Sequence, residues 1–341
     1  MTKSINVAIL GATGLIGETL LSILEERKFP INQLFVLASG KSSGQTVRFK
    51  GKTLRVQNAS EFDFTQVQLA FFAVGSEQAA QYAPLAVEAG CLVIDNSAHF
   101  RLMESVPLVV PEVNKEAIAD YRQRNIIANP NCSTIQMVIA LKPILDAVGL
   151  KRINVATYQS VSGTGKKAIS ELAEQSAHLL NGMPIEPQVY PQQIAFNVLP
   201  HIDDFSDNGY TREEMKMILE TQKILNCPQL AITATTVRVP VFYGHSEAIW
   251  IETERSITRE EATALLKQAP GIVVVEADDS SDFPYPTPIS HLNAEDAVYV
   301  GRIRSDLFSD CGLNLWVVAD NVRKGGALNA VQIAEIWLNE C

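Results

Sequence analysis

Long apolar runs, paired cysteines and an excess of positive charge are all missing from this 341-residue chain. The longest apolar stretch, residues 67–74, is interrupted by Gln68 and falls far short of the roughly 18 residues a membrane helix needs. No membrane partner is expected. The five cysteines (Cys91, Cys132, Cys227, Cys311 and Cys341) are odd in number and widely scattered. No CxxC spacing suggests a zinc site or a redox pair, so neither a metal nor a disulfide framework is expected. Lys and Arg number 28 against 38 Asp and Glu, a net charge of −10 that opposes general binding to nucleic acid or anionic lipid. An anionic substrate must therefore be captured by local cations. The N-terminus runs straight into a strand with no cleavable hydrophobic region, which points to a cytoplasmic protein. What the chain does have is 47% hydrophobic residues and about twice the length of a typical domain, so two domains are expected.

Residues 5–10 read as a short buried strand, followed at once by Gly11-Ala12-Thr13-Gly14-Leu15-Ile16-Gly17. Ile16, Leu20, Ile23 and Leu24 then share one helical stripe. Strand, glycine turn and helix form the setting of a dinucleotide site, in which bare backbone and free N–H groups approach a pyrophosphate. The spacing is GxxGxxG, with Thr13 where a second glycine of GxGxxG would stand. A second strand, residues 34–38, leads into Ser39-Gly40-Lys41-Ser42-Ser43-Gly44. NAD-type sites place a carboxylate here for the ribose 2′-hydroxyl. This run has none, and its cation and hydroxyls suit a 2′-phosphate, so NADP is the expected cofactor. Further strands and helices alternate up to residues 126–128, which implies a parallel sheet with helices on both faces.

The segment Asn129-Pro130-Asn131-Cys132-Ser133-Thr134-Ile135-Gln136 carries the most chemistry. Pro130 breaks the strand, and Ile135, Val138, Ile139 and Leu145 follow at helical spacing. Cys132 is thus expected at a helix start, where orphan N–H groups and the macrodipole favour thiolate over thiol. Cys91, inside an apolar strand, illustrates the alternative of a buried inert thiol.

With its glycine turn and Asn-Pro-Asn-Cys-Ser-Thr-Ile-Gln segment, the chain resembles the aspartate-β-semialdehyde dehydrogenases. The resemblance runs on through residues 107–114, 158–163 and 238–241, then 244–247, 316–321 and 329–335. It implies an α/β protein with a Rossmann-type dinucleotide-binding domain, residues 1–132 plus 322–341. An α+β mixed-sheet catalytic and dimerisation domain, residues 133–321, would complete it, with a homodimer as the assembly. The implied enzyme is an NADP-dependent phosphorylating aldehyde dehydrogenase acting on small molecules. It interconverts 4-phospho-L-aspartate with L-aspartate 4-semialdehyde and phosphate, in lysine, methionine, threonine and diaminopimelate biosynthesis.

The resemblance assigns Cys132 as nucleophile, Gln159 as the amide that orients the carbonyl oxygen, and His245 as acid/base. His245 is read as sitting in a turn after a strand, with an ordinary pKa of about 6.5 that suits proton exchange near neutrality. Arg238 leaves the apolar side of its strand marked by Val237 and Val239, and would grip the substrate carboxylate. Glu213 and Lys216, three apart on a helix, would meet the ammonium and the phosphate, and Arg101 with Asn131 would also hold phosphate. Cofactor contacts fall on Gly11, Thr13, Gly14, Leu15, Ile16, Ser39, Lys41, Ser162, Gly163, Asn321 and Gln332. Lys41 stands where an arginine is common in the family. Two rivals remain: an N-acetyl-glutamyl-phosphate reductase, which has no ammonium to bind at Glu213, and a non-catalytic paralogue acting as a scaffold. Against the scaffold, Cys132, Gln159, Arg238 and His245 are all present.

Overall fold

The strand β1 (Ile5–Leu10) is almost wholly buried on both faces, as a central parallel strand requires. The structure, a computed structural model, describes residues 4–276, 285–290 and 296–340, without the side chains of Lys41 and Glu340. The chain divides into two units, residues 1–131 with 326–341, and residues 132–325.

In the first unit β1 leads into α1 (Leu15–Glu26), which buries Leu20, Leu21, Ile23 and Leu24 on one stripe. After β2 (Ile31–Ala38) comes a hairpin, β3 (Thr46–Phe49) and β4 (Lys52–Arg55), turned at Lys50 and Gly51, both with positive φ. Then follow β5 (Gln57–Asn58), β6 (Leu69–Phe72), α2 (Ser76–Glu88), β7 (Leu92–Asp95), the single turn α3 (Pro111–Asn114) and β8 (Ile126–Ala128). The sheet order is β5-β2-β1-β6-β7-β8, parallel throughout. From β1 the chain winds first to β2 and later to β6 on the other side. This reversal leaves a crevice at the strand ends beside Gly11, where open α/β sheets bind ligands.

The second unit opens with α4 (Cys132–Val148), then β9 (Leu150–Gln159), α5 (Lys166–Leu180), α6 (Arg212–Ile224), β10 (Ala231–Arg238) and β11 (His245–Thr253). α7 (Arg259–Gln268), β12 (Ile272–Val275), β13 (Val298–Ser305) and β14 (Gly312–Ala319) complete it. Thr211 and Thr258 each close a reciprocal capping box, with Glu214 and Glu261, which fixes where α6 and α7 begin. The mixed sheet runs β10-β9-β11-β14-β13-β12, parallel only in its two outer pairs. α4, α6 and α7 cover one face. On the other, Tyr158 and Trp316 pack ring to ring at 5.6 Å and Tyr158 stays exposed.

A π-helical turn, Arg323–Leu328, leads into α8 (Asn329–Glu340), whose Ala330, Val331, Ile333 and Ala334 join the core of the first unit around Ile9 and Ile94. The crossing back lies between Gly325 and Gly326, a few residues past the sequence expectation. Gly325 belongs with the second unit because it presses on Cys132: a Cβ there would lie 2.6 Å from the Cys132 Cβ. Among the described residues no helix is long and apolar enough to cross a membrane.

Candidate active site

The first unit presents its glycine turn as sequence reasoning expects. Gly11 holds φ +88°, and a Cβ on it would lie 2.2 Å from the Ala73 carbonyl oxygen. Gly17 lets α1 settle onto the turn, since a Cβ there would meet the Gly11 oxygen at 2.2 Å. Gly14 is the N-cap, and no side chain caps the helix. The first-turn N–H groups, which begin at Leu15 and Ile16, therefore suit a phosphate, and Thr13 lies half-buried beside them. Ser39 and Lys41 fall in a short 3₁₀ turn after β2 that contains no carboxylate. The Lys41 side chain lies outside the described residues.

Arg101 is nearly buried and donates from Nε to the Asn129 carbonyl at 2.9 Å and from Nη2 to the Asn96 carbonyl at 2.8 Å. Burial raises the nearby Asp95 carboxyl above its usual range, against the Ser97 hydrogen bonds and the Arg101 charge. Asn131 is buried immediately before Cys132 in the chain. Gln332 on α8 donates to Glu112 at 3.1 Å.

In the second unit Cys132 is the first residue of α4, half-buried, with no acidic residue in the first turn to oppose a thiolate. Cys91 shows the opposite case: fully buried, its thiol is pushed up to about 12. One turn beyond Cys132, Gln136 donates to the carbonyl oxygen of His245 at 3.4 Å. His245 is the first residue of β11, paired with Ala319, rather than part of the preceding turn. It is fully buried, and its Nδ1 accepts from the Ser160 N–H at 3.1 Å. The neutral ring then carries its proton on Nε2. Burial, and next the Arg238 charge, hold the imidazole well below its ordinary value, which corrects the expectation of about 6.5.

Ser160 Oγ and Ser162 Oγ both donate to Asn321 Oδ1 at 3.1 Å, and the Gly244 N–H adds a third bond at 2.9 Å. Two of the expected cofactor contacts, Ser162 and Asn321, are thus already engaged in holding the His245 frame. Arg238 does leave the Val237 face, but into the interior: Ala234 and Thr236 share its buried side, and it is 4% exposed. Its Nη1 donates to the Ser160 carbonyl at 2.6 Å, and Nε is buried without a partner. His245 Nε2 is likewise buried and unpartnered. Both side chains converge on Gly163, where a Cβ would sit 3.0 Å from Arg238 Nη1 and 3.3 Å from His245 Nε2.

Glu213 is buried beside them, accepting from Gln159 Nε2 at 3.2 Å and from Lys216 Nζ at 3.3 Å. Gln159 also donates to Thr157 Oγ1 at 3.3 Å, and Lys216 to Asp203 at 2.6 Å. Burial pushes the Asp203 carboxyl up, yet Lys216 and the other donors bring it below its usual value. This is more than the exposed ion pair that i, i+3 spacing alone describes.

The sequence thus brings Gln159, Ser162, Gly163, Glu213, Lys216, Arg238, His245 and Asn321 into one network. Arg101, Asn131, Gln332 and the glycine turn reside in the other unit. Ser160 was missed, although it follows Gln159 directly. Tyr190 was missed too: its ring lies 5.9 Å from the Arg238 guanidinium and its hydroxyl donates to Thr164 at 3.2 Å. It stands in an irregular segment with no periodicity to mark it. Among the described residues no three His, Cys, Asp or Glu side chains are grouped as a metal site requires.

Two family models match the chain, the NAD binding domain of semialdehyde dehydrogenases over residues 6–121 and their dimerisation domain over residues 141–324. Fold and site together define an oxidoreductase of the semialdehyde dehydrogenase class. The chain is 59% identical over 340 residues to an aspartate-semialdehyde dehydrogenase of Legionella pneumophila, covering 100% of this chain and 97% of that one. The solved structure of aspartate semialdehyde dehydrogenase II from Vibrio cholerae, complexed with ASA, matches at TM-score 0.96 and 58% identity over 99% of both chains. A Candida albicans aspartate semialdehyde dehydrogenase solved with NADP matches at TM-score 0.78 and 25% identity, over 99% of this chain and 100% of that one. The chain belongs to the aspartate-semialdehyde dehydrogenase family.

Proposed function

We propose that this protein catalyses the reversible reductive dephosphorylation of 4-phospho-L-aspartate to L-aspartate 4-semialdehyde, a step of amino-acid biosynthesis. The observation that carries the reading is the pair of buried, unpartnered nitrogens, Arg238 Nε and His245 Nε2, on two side chains that converge on Gly163. A fold leaves such atoms unsatisfied at a cost of about 1–3 kcal/mol each unless a ligand completes them. Arg238, already fixed by Ser160, is suited to the substrate carboxylate. Glu213 is suited to a free ammonium, which favours an aspartyl over an N-acylated substrate. Lys216, held beside Glu213 in the same network, is suited to the phosphate.

Cys132 attacks the acyl phosphate carbon; the carbon–oxygen bond to phosphate breaks, phosphate leaves, and a thioester forms. The helix-start N–H groups and the Gln159 amide face charge on the carbonyl oxygen, Gln159 exchanging its long bond to Thr157 for that oxygen. His245, our acid/base residue, holds a proton on Nε2 toward the same oxygen. The nicotinamide cofactor, when bound, supplies hydride to the thioester carbon. Return of the electron pair to sulfur then releases the aldehyde.

We assign NADP as that cofactor because the turn at Ser39 and Lys41 offers hydroxyls and a cation in place of a carboxylate. The NADP complex of the Candida relative supports the assignment. We propose a homodimer formed through the open sheet face around Tyr158 and Trp316, in line with the matched dimerisation domain. A cytoplasmic location accords with four described cysteines that form no disulfide. The test is NADP- and phosphate-dependent oxidation of L-aspartate 4-semialdehyde by the purified protein. Growth of the NADPH absorbance beyond one equivalent per site is expected only with phosphate present; a folded protein that gives none with phosphate contradicts the reading.

A further inference from the structure

Glu247 stands two residues beyond His245 on β11, so both side chains leave the strand on the same face. It is 0% exposed, and neither carboxyl oxygen has a hydrogen bond of good geometry. Across the sheet it pairs with Thr157 on β9 and Val317 on β14. α4 covers this part of the sheet and brings Gln136 within hydrogen-bonding reach of the carboxyl, which burial pushes well above its usual range against the opposing Gln136 bond. The same Gln136 donates from Nε2 to the His245 carbonyl, and its Oε1 is buried with no donor. An ionised carboxylate in this position would lack compensation, whereas a protonated one has a single O–H to give. Gln136 Oε1 is an acceptor in need of one.

On its own strand the titratable neighbour is His245, two residues back on the same face; Arg238 acts on the His245 ring, and only burial and Gln136 act on the Glu247 carboxyl. The neighbours presented by α4, β9 and β14 are Gln136, Thr157 and Val317, none of which titrates.

We propose that Glu247 is an un-ionised positioning residue whose carboxylic acid donates to Gln136 and so locks the first turn of α4, bearing Cys132, against the strand that begins at His245. The inference rests on the proposed roles of those two residues.

Two variants separate positioning from bulk. Glu247→Leu keeps the volume and removes the donor; Glu247→Gln keeps a neutral donor of the same shape. In the phosphate-dependent oxidation assay Glu247→Leu is expected to lose about 10²-fold in kcat, with KM and NADPH affinity within about twofold, as misplaced reacting groups do. Glu247→Gln is expected to recover kcat to within about tenfold of wild type with an unchanged pH profile, since it too donates to Gln136. A second arm needs no turnover. Above the ordinary glutamate range the unfolded chain loses the Glu247 proton while the fold retains it, so this group's contribution to stability falls as pH rises. The Tm of Glu247→Gln relative to wild type should therefore climb from pH 5 to pH 8. A pH-independent Tm difference, wild-type kcat in Glu247→Leu, or Glu247→Gln as impaired as Glu247→Leu overturns the proposal. A folded wild type that never turns over contradicts the proposed function instead, and the melting arm still decides this one.

Discussion

In the first unit Gly11 and Gly14 bare the main chain where α1 begins, and Arg101 is anchored by the carbonyl oxygens of Asn129 and Asn96. In the second, His245 Nε2 and Arg238 Nε lie buried without partners around a scaffold of satisfied serines and Asn321. One unit binds with backbone, which any sequence able to make the turn supplies. The other keeps unsatisfied side-chain atoms in a dry interior, where a ligand is worth most and its absence costs most. Changes in the second unit should therefore harm the chemistry more than they harm cofactor binding.

The largest effect tests that division at Cys132, the proposed nucleophile. Cys132→Ala is expected to lower kcat by about 10⁴-fold or more while NADPH titration by fluorescence gives nearly the wild-type Kd. Arg238→Lys removes the fork but keeps the charge, and should raise KM for the semialdehyde about 10–10²-fold with a smaller change in kcat. An unchanged KM would refute the clamp. Gly163→Ala intrudes on Arg238 and His245 together; overpacking of about 1–3 kcal/mol predicts a loss near tenfold in kcat/KM, measured in the same assay. Lys41→Ala, in the first unit, should weaken NADPH several-fold and leave NADH unchanged, a single ion pair being worth about 1 kcal/mol. Equal losses would remove the basis for NADP preference.

The pH profile sharpens the comparison without any substitution. The proposed acid/base role needs neutral His245, and burial with the Arg238 charge lowers its folded pKa. Protonation in the free enzyme is thus delayed to lower pH, and the acidic limb of kcat/KM that His245 governs should fall below about pH 6.5. A limb at or above that value would contradict the buried setting. The same shift has a stability sign. The His245 contribution is intact above about pH 6.5 and is lost as pH drops, because the unfolded chain takes up the proton first.

The first unit was largely legible because its signals are local: β1, the glycine turn and the α1 stripe occupy adjacent residues. Its hairpin at Lys50 and Gly51 escaped notice because short half-exposed strands lack a strong alternation. In the second unit Cys132 was legible from Pro130 and the stripe that follows. The depth of the site was not. In β11 the buried Ile249 and Ile251 alternate with Ala248 and Trp250, which are apolar too, so the pattern did not reveal that His245 and Glu247 face inward. Arg238 misled for a related reason: Val237 looked like the core side, whereas Ala234, Thr236 and Arg238 are the residues covered. Tyr190 reaches Arg238 only through tertiary folding of an irregular segment.

The most direct test of the account is intact-protein and peptide mass spectrometry after mixing the enzyme with NADP and L-aspartate 4-semialdehyde in the absence of phosphate. The account predicts an aspartyl adduct confined to Cys132 that disappears when phosphate is added. Turnover that proceeds with no adduct on Cys132, or with the adduct on another residue, would contradict it.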